Sequence, residues 1–217
     1  MKKFVVSYST GKDSTLALFR MINKGYIPCG LIVTVNEKEN ESWFHGINRD
    51  LLLKVSKSLD IKLIEIKCSG NEYEKSFEDT LIKCSREGIE ICVFGDIDIE
   101  SHRRWGEERC KKANMEAMFP LWNEEREKLV NEFIDAGFKA VIKKVENKSL
   151  DKKFLGKVLI KEIVEKIKKA GADPCGENGE YHTFVFGGPI FNNKIDIICG
   201  DIYVGERASS ISIRSEK

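Results

Sequence analysis

Apolar positions in the first half of the chain gather in short, nearly continuous runs: Phe4-Val5-Val6, Leu31-Ile32-Val33-Thr34-Val35 and Ile89-Glu90-Ile91-Cys92-Val93-Phe94. Such runs are the mark of parallel strands covered on both faces. Between them the period changes to that of a helix. In Thr15–Ile22, Leu18, Met21 and Ile22 share one helical face, and Gly25 stands where that helix would end. The alternation predicts strands near 3–8, 30–35, 62–67, 90–95 and 116–119, and helices near 12–24, 47–59, 72–87 and 101–113. An α/β unit follows, with a parallel sheet and helices on both faces. Ligands of such sheets bind beyond the carboxyl ends of the strands. The turn after the first strand, the segment after Val35 and Gly95-Asp96 are therefore expected at one cleft.

Around Pro120 the texture changes. Asn123–Gly137 reads as an amphipathic helix, Phe138–Val145 as a strand, and Lys153–Lys169 as a second helix ending before Gly171. Thr183–Ile213 reads as short strands broken at Gly187-Gly188-Pro189 and Gly200-Asp201. The pattern predicts a first domain over 1–122 and a smaller C-terminal α/β domain over 123–217. A formal charge of +1 on 217 residues gives no global drive toward nucleic acid or an anionic membrane. No run approaches the ~20 apolar residues of a membrane span, and Met-Lys-Lys leads straight into a strand rather than a signal peptide. A cytoplasmic protein is expected, with a homo-oligomer left open. Seven cysteines, spread out and with no Cys-x-x-Cys, argue against a disulfide framework or a zinc site.

Chemistry enters with Ser9-Thr10-Gly11-Lys12-Asp13-Ser14, placed between the first strand and the first helix. The N–H groups and positive dipole end of that helix attract an anion, the hydroxyls of Ser9, Thr10 and Ser14 add donors, and Lys12 adds a full charge. The turn is not a Walker P-loop, since Lys12 is followed by Asp13 and no Gly lies five positions before Gly11. It resembles the pyrophosphate loop Ser-Gly-Gly-x-Asp-Ser of the ATP pyrophosphatases, which cut ATP between the α and β phosphates; Thr10 occupies the place of the first Gly. A second polar run, Asp173-Pro174-Cys175-Gly176-Glu177-Asn178-Gly179-Glu180-Tyr181-His182-Thr183, is turn chemistry on composition alone, yet it concentrates ionisable groups. Ser101-His102-Arg103-Arg104 reads either as an anion site or as a solvated helix face.

Taken together, the two runs resemble the diphthine–ammonia ligase family, whose members carry Ser-Gly-Gly-Lys-Asp-Ser and later Glu-Gly-Gly-Glu-Tyr/Phe-x-Thr. Here Glu177–Thr183 matches the second motif with Asn178 in place of a Gly, and Gly188-Pro189-Ile190-Phe191, His45-Gly46-Ile47-Asn48 and Phe94-Gly95-Asp96-Ile97 resemble further family elements. The resemblance implies a Rossmann-like nucleotide domain and a smaller substrate-site domain. It also implies ATP-dependent amidation of a carboxylate by ammonia, through an acyl-adenylate, with release of AMP and pyrophosphate. The carboxylate would be that of diphthine on elongation factor 2. ATP would lie on Ser9, Thr10, Gly11, Lys12, Asp13, Ser14, Gly95 and Asp96, with Mg²⁺ on Asp13 and Asp96. Lys12, Asp13, Glu177, Glu180 and His182 would be catalytic, and His45, Asn178, Gly179, Tyr181 and Thr183 would line the substrate. The competing readings are amidation of a different carboxylate and a non-catalytic ATP sensor.

Overall fold

A computed structural model describes residues 1–36, 41–43, 45–68 and 72–216. Two compact units are present: Met1–Ser9 with Asp13–Asn123, and Thr10–Lys12 with Glu124–Lys217.

The first unit holds strands β1 (Lys3–Ser7), β2 (Ile27–Asn36), β3 (Glu41–Ser42), β4 (Leu63–Lys67), β5 (Ile91–Val93) and β6 (Glu116–Met118). Its helices are α1 (Lys12–Asn23), α2 (Arg49–Leu59), α3 (Tyr73–Arg86) and α4 (Glu100–Lys112). β1 lies in the middle, parallel to β2 on one side and to β5 on the other. β4 extends the sheet beyond β2 and β6 beyond β5, both parallel, while β3 runs antiparallel against the last two residues of β2. The chain thus winds outward through β2 and β4, then crosses β1 to lay down β5 and β6. That reversal is a topological switch point, and the turn after β1 and Gly95-Asp96 after β5 both lie at carboxyl ends beside it. The segment expected there after Val35 runs into residues 37–40, which lie outside the described residues.

Burial explains the apolar runs. Val5, Ile32, Ile66 and Cys92 point to one face, where they pack with Phe77 and Leu81 of α3 and Cys110 of α4. Phe4 and Val6, one residue out of phase, are also fully buried, so the opposite face is covered too. α2 starts where the Asn48 side chain accepts a 2.9 Å hydrogen bond from the Leu51 N–H, and it stops at Asp60, whose φ is 54°.

The second unit contains α5 (Arg126–Asp135), β7 (Lys139–Glu146), a 3₁₀ turn (Lys152–Phe154), α6 (Lys161–Lys169), β8 (Tyr181–Gly187), β9 (Ile197–Val204) and β10 (Ala208–Ser215). Its sheet is antiparallel, in the order β8-β7-β10-β9. Two expectations change here. The helix read over Lys153–Lys169 begins only at Lys161. Before it, Gly156 takes φ 74°, which no helix accommodates, and Val158 and Leu159 lie extended along β7, with Leu159 N–H donating to the Ala140 carbonyl. The break expected at Gly200-Asp201 does not end a strand: β9 runs through it, and the two residues fall at the one irregularity of its ladder with β10, between the Ile202–Ile211 and Cys199–Ile213 pairs. Among the described residues, no helix is long and apolar enough to cross a membrane.

Candidate active site

In the first unit, the turn after β1 is built by short-range hydrogen bonds. Ser9 N–H donates to Ser14 Oγ at 3.3 Å, the two serine hydroxyls lie 3.2 Å apart, and buried Tyr8 Oη meets Thr15 Oγ1 at 3.0 Å. Gly95 lies directly against this turn: a Cβ there would sit 2.7 Å from Ser14 N and 2.8 Å from the Asp13 carbonyl carbon. Only glycine lets the end of β5 approach the start of α1 so closely. Asp96 follows, with Oδ1 held 3.1 Å from His102 Nδ1. Arg103, a candidate anion ligand, instead bonds Glu107 at 2.8 Å and covers the Trp122 ring. His45 is half-buried in the turn between β3 and the Asn48 cap.

In the second unit, Thr10–Lys12 run along the outer edge of β8. The Thr10 carbonyl accepts from Val185 N–H at 2.9 Å, and Lys12 N–H donates to Thr183 Oγ1 at 3.0 Å. These bonds hold Thr10 at φ 66°. That left-handed conformation costs a β-branched residue about 1–2 kcal/mol and costs glycine little, which accounts for the glycine of the common pattern. The Lys12 ammonium lies 5.3 Å from the centroid of the Tyr181 ring. His182 is the cross-strand neighbour of Lys144. Removal from water, and then the charges of Lys144 and Lys12, lower the His182 pKa to about 4, so the ring is neutral at pH 7.

The loop before β8 is braced from within. Asp173 takes the N–H groups of Cys175 and Glu177 at 2.9 and 3.1 Å and pairs with Arg126 of α5. Tyr181 Oη donates to the Pro174 carbonyl at 2.7 Å, and Gly176 at φ 69° leaves room for the Tyr181 ring. Glu180 is buried, and its two oxygens accept from the Asn178 N–H and Nδ2 at 3.1 and 3.2 Å. Gly179 turns the chain at φ 91°. The second unit thus brings Lys12, Tyr181, His182 and Thr183 together, with Glu180 and Asn178 bonded to each other in the preceding turn. The first unit brings Asp13 and Ser14 against Gly95. Arg126 and Lys144 were not singled out from sequence, and Asp173 was read only as the first residue of the polar run, without a role. Asp173 carried a signal, as an Asp-Pro opening a glycine-containing turn; Lys144 carried none, because strand register is not written locally.

Two outcomes follow from this geometry. Asp173→Ala removes one charge of a mostly buried pair and the acceptor of two loop N–H groups, so urea denaturation should show a loss of about 2–4 kcal/mol. For His182, the folded-state pKa lies below the unfolded value near 6.5. The unfolded chain therefore binds a proton between about pH 6.5 and 4 that the folded chain refuses, and stability falls as pH falls through that window. Denaturation at pH 7 and pH 5 should differ by about 1–2 kcal/mol more in the wild type than in His182→Gln.

Residues 1–117 match the diphthamide synthase N-terminal domain and residues 125–216 the diphthamide synthase C-terminal domain. Diphthine–ammonia ligase of Homo sapiens is 34% identical over 152 residues, covering 68% of this chain and 57% of its own length. The Mus musculus protein of the same name is 36% identical over 143 residues, covering 64% and 54%. That of Schizosaccharomyces pombe is 28% identical over 210 residues, covering 86% and 34%. The chain spans about half the length of the mammalian relatives it matches. A crystal structure described as a predicted subunit of tRNA methyltransferase from Methanocaldococcus jannaschii aligns over 87% of this chain and 98% of its own, with a TM-score of 0.48 and 18% identity.

Proposed function

The chain belongs to the diphthamide synthase family, and from that premise we propose that it is an ATP-dependent ammonia ligase that amidates a carboxylate through an acyl-adenylate. The observation that carries the reading is Lys12: its backbone is fixed on Thr183, and its ammonium lies over Tyr181 and is felt at His182. Thr10–Lys12 of the nucleotide motif and the Glu177–Thr183 motif thus meet in one compact unit, as a ligase needs and a plain ATP sensor does not.

The Lys12 ammonium and the N-terminal end of α1 balance the negative charge of the triphosphate. Lys144 adds positive charge beside His182, which suits an incoming carboxylate. The carboxylate oxygen attacks the α-phosphorus and pyrophosphate leaves. Among the described residues, no group of three or more His, Cys, Asp or Glu could hold a metal ion by itself. Mg²⁺ is commonly bound by one or two carboxylates together with substrate phosphates; Asp13 and Asp96 would hold it, and His102 Nδ1 lies 3.1 Å from Asp96 Oδ1. When bound, the ion neutralises charge on the departing pyrophosphate.

For the second step, Glu177 and Glu180 supply the negative charge that holds ammonium, whereas neutral His182 between two lysines does not. The bound ammonium first gives one proton to a carboxylate or to water, which frees its lone pair; the resulting ammonia bonds to the acyl carbon, its nitrogen becomes acidic, a carboxylate takes the second proton and AMP leaves. Glu177 and Glu180 are both candidates for this role. The substrate carboxylate is that of diphthine on elongation factor 2, and ammonium is the nitrogen donor. Incubation with ATP, Mg²⁺, ammonium and diphthine-bearing elongation factor 2 should yield AMP and an acid-to-amide mass change in the factor. AMP without that change would point to another carboxylate, and ATP binding without AMP would favour the sensor reading.

A further inference from the structure

Outside the Lys12 cluster and the Asp173–Thr183 loop, the second unit carries a cavity of about 590 Å³ beside the 3₁₀ turn and α6. Lys153, Lys157, Lys166 and Lys169 line it, and Phe154 and Ile163 supply apolar wall. The volume is that of a site for a few ligand side chains. Charge is concentrated around it. Residues 139–169 hold eleven lysines against Glu146, Asp151, Glu162 and Glu165, a surplus of seven positive charges on a chain whose total is +1. The neighbouring Lys161 is paired with Asp135, and Lys168 with Glu127 and Glu165. Among the described residues, none of the four cavity lysines has such a carboxylate partner. Four like charges on one concave surface repel one another until an anion enters.

The wall decides between kinds of anion. Single-stranded nucleic acid uses exposed aromatic faces on which bases stack. Phe154 offers none, being 4% exposed and lying under the Lys153 ammonium at 5.8 Å. The rest of the cavity's apolar wall is aliphatic, from Ile163 and Ala170, and Val158 and Ile160, 39% and 40% exposed, lie on the connector between the 3₁₀ turn and α6. Lysine heads around an aliphatic floor complement a peptide in which Asp or Glu alternates with Leu, Ile or Phe.

We propose that this cavity docks an acidic, apolar-anchored segment of the protein that carries the substrate carboxylate. The anchor side chain rests on Ile163 and Ala170 while the flanking carboxylates pair with the four lysines. The partner's identity rests on the reading that a protein presents the carboxylate; the chemistry of the cavity does not.

The test uses the full chain and a short fluorescein-labelled peptide of Asp and Glu interleaved with Leu and Phe, followed by anisotropy. Saturable binding is expected. It should weaken about 10-fold or more in K153E/K157E/K166E/K169E, and several-fold in Ile163→Ala. The Ile163 methyl signal should move on peptide addition in NMR spectra of the wild type. All four lysines are exposed, so circular dichroism of the charge variant, and of the milder Lys→Gln set, should match the wild type. Absence of saturable binding, or binding equal in the charge variant, overturns the proposal. So does a thymidine oligonucleotide that binds the wild type more tightly than the peptide. Elongation factor 2 should displace the peptide, and failure to do so removes it as the partner. Peptide binding requires neither ATP nor turnover, so its failure and a failure of AMP formation are separate results.

Discussion

Lys12→Met is expected to lower AMP formation by about 10²–10³-fold, the cost of removing one charge-stabilising group from a transition state. Methionine keeps most of the aliphatic stem, which matters because the side chain is buried. The backbone of residue 12 is fixed independently of its charge, through the Thr183 hydroxyl, and Thr10 through Val185 N–H. The second unit should therefore keep its fold. A turnover-independent readout is built in, because the Lys12 charge is one of the causes that depress the His182 pKa, after burial and Lys144. Removing it should move the His182 titration upward in NMR spectra, where only three histidines need assigning. AMP formation at the wild-type rate, with the His182 shift present, would show that the charge is where the geometry puts it but takes no part in phosphate chemistry. Loss of AMP formation without the shift would mean that the turn itself had moved.

How much of this was legible beforehand depended on how local the cause was. β1, the turn and α1 were readable because strand, hydroxyl-rich turn and helix follow one another within about twenty residues, and each obeys its own short-range rule. Gly95 was placed at the site by the sheet rule, but nothing in its neighbours along the chain demands a glycine there; that demand comes from backbone at the other end of the unit. The left-handed Thr10 was hidden because a β-branched residue is normally evidence against such a conformation, and here long-range bonds to β8 impose it. The false helix over Lys153–Ile160 came from the same limit. Its lysine-rich, Leu-containing run has good helical propensity, yet Val158 and Leu159 gain more by lying along β7. Lys144 escaped notice because only the β7–β8 register sets it opposite His182.

Gly95→Ala tests a close approach of backbone to backbone at the turn after β1. The added methyl would lie 2.7 Å from Ser14 N and 2.8 Å from the Asp13 carbonyl carbon. Neither atom can rotate away as a side chain does, so either the end of β5 or the first turn of α1 must shift. Overpacking of this kind costs about 1–3 kcal/mol, and the shift falls on Asp13, Ser14 and the N–H groups at the start of α1, where we propose the phosphates bind. A misplacement on the order of 1 Å costs about 10²-fold in rate, so AMP formation per folded molecule should fall by that much. Gly106→Ala is the matched control within the same unit. There the new methyl would meet the Phe119 and Phe94 ring edges at 3.0 and 3.1 Å, which are side chains able to give. It should alter stability while leaving the rate per folded molecule unchanged. If both variants lose stability and both keep the rate, then the close approach at Gly95 serves packing alone, and the phosphate-facing geometry of the turn tolerates a displaced β5.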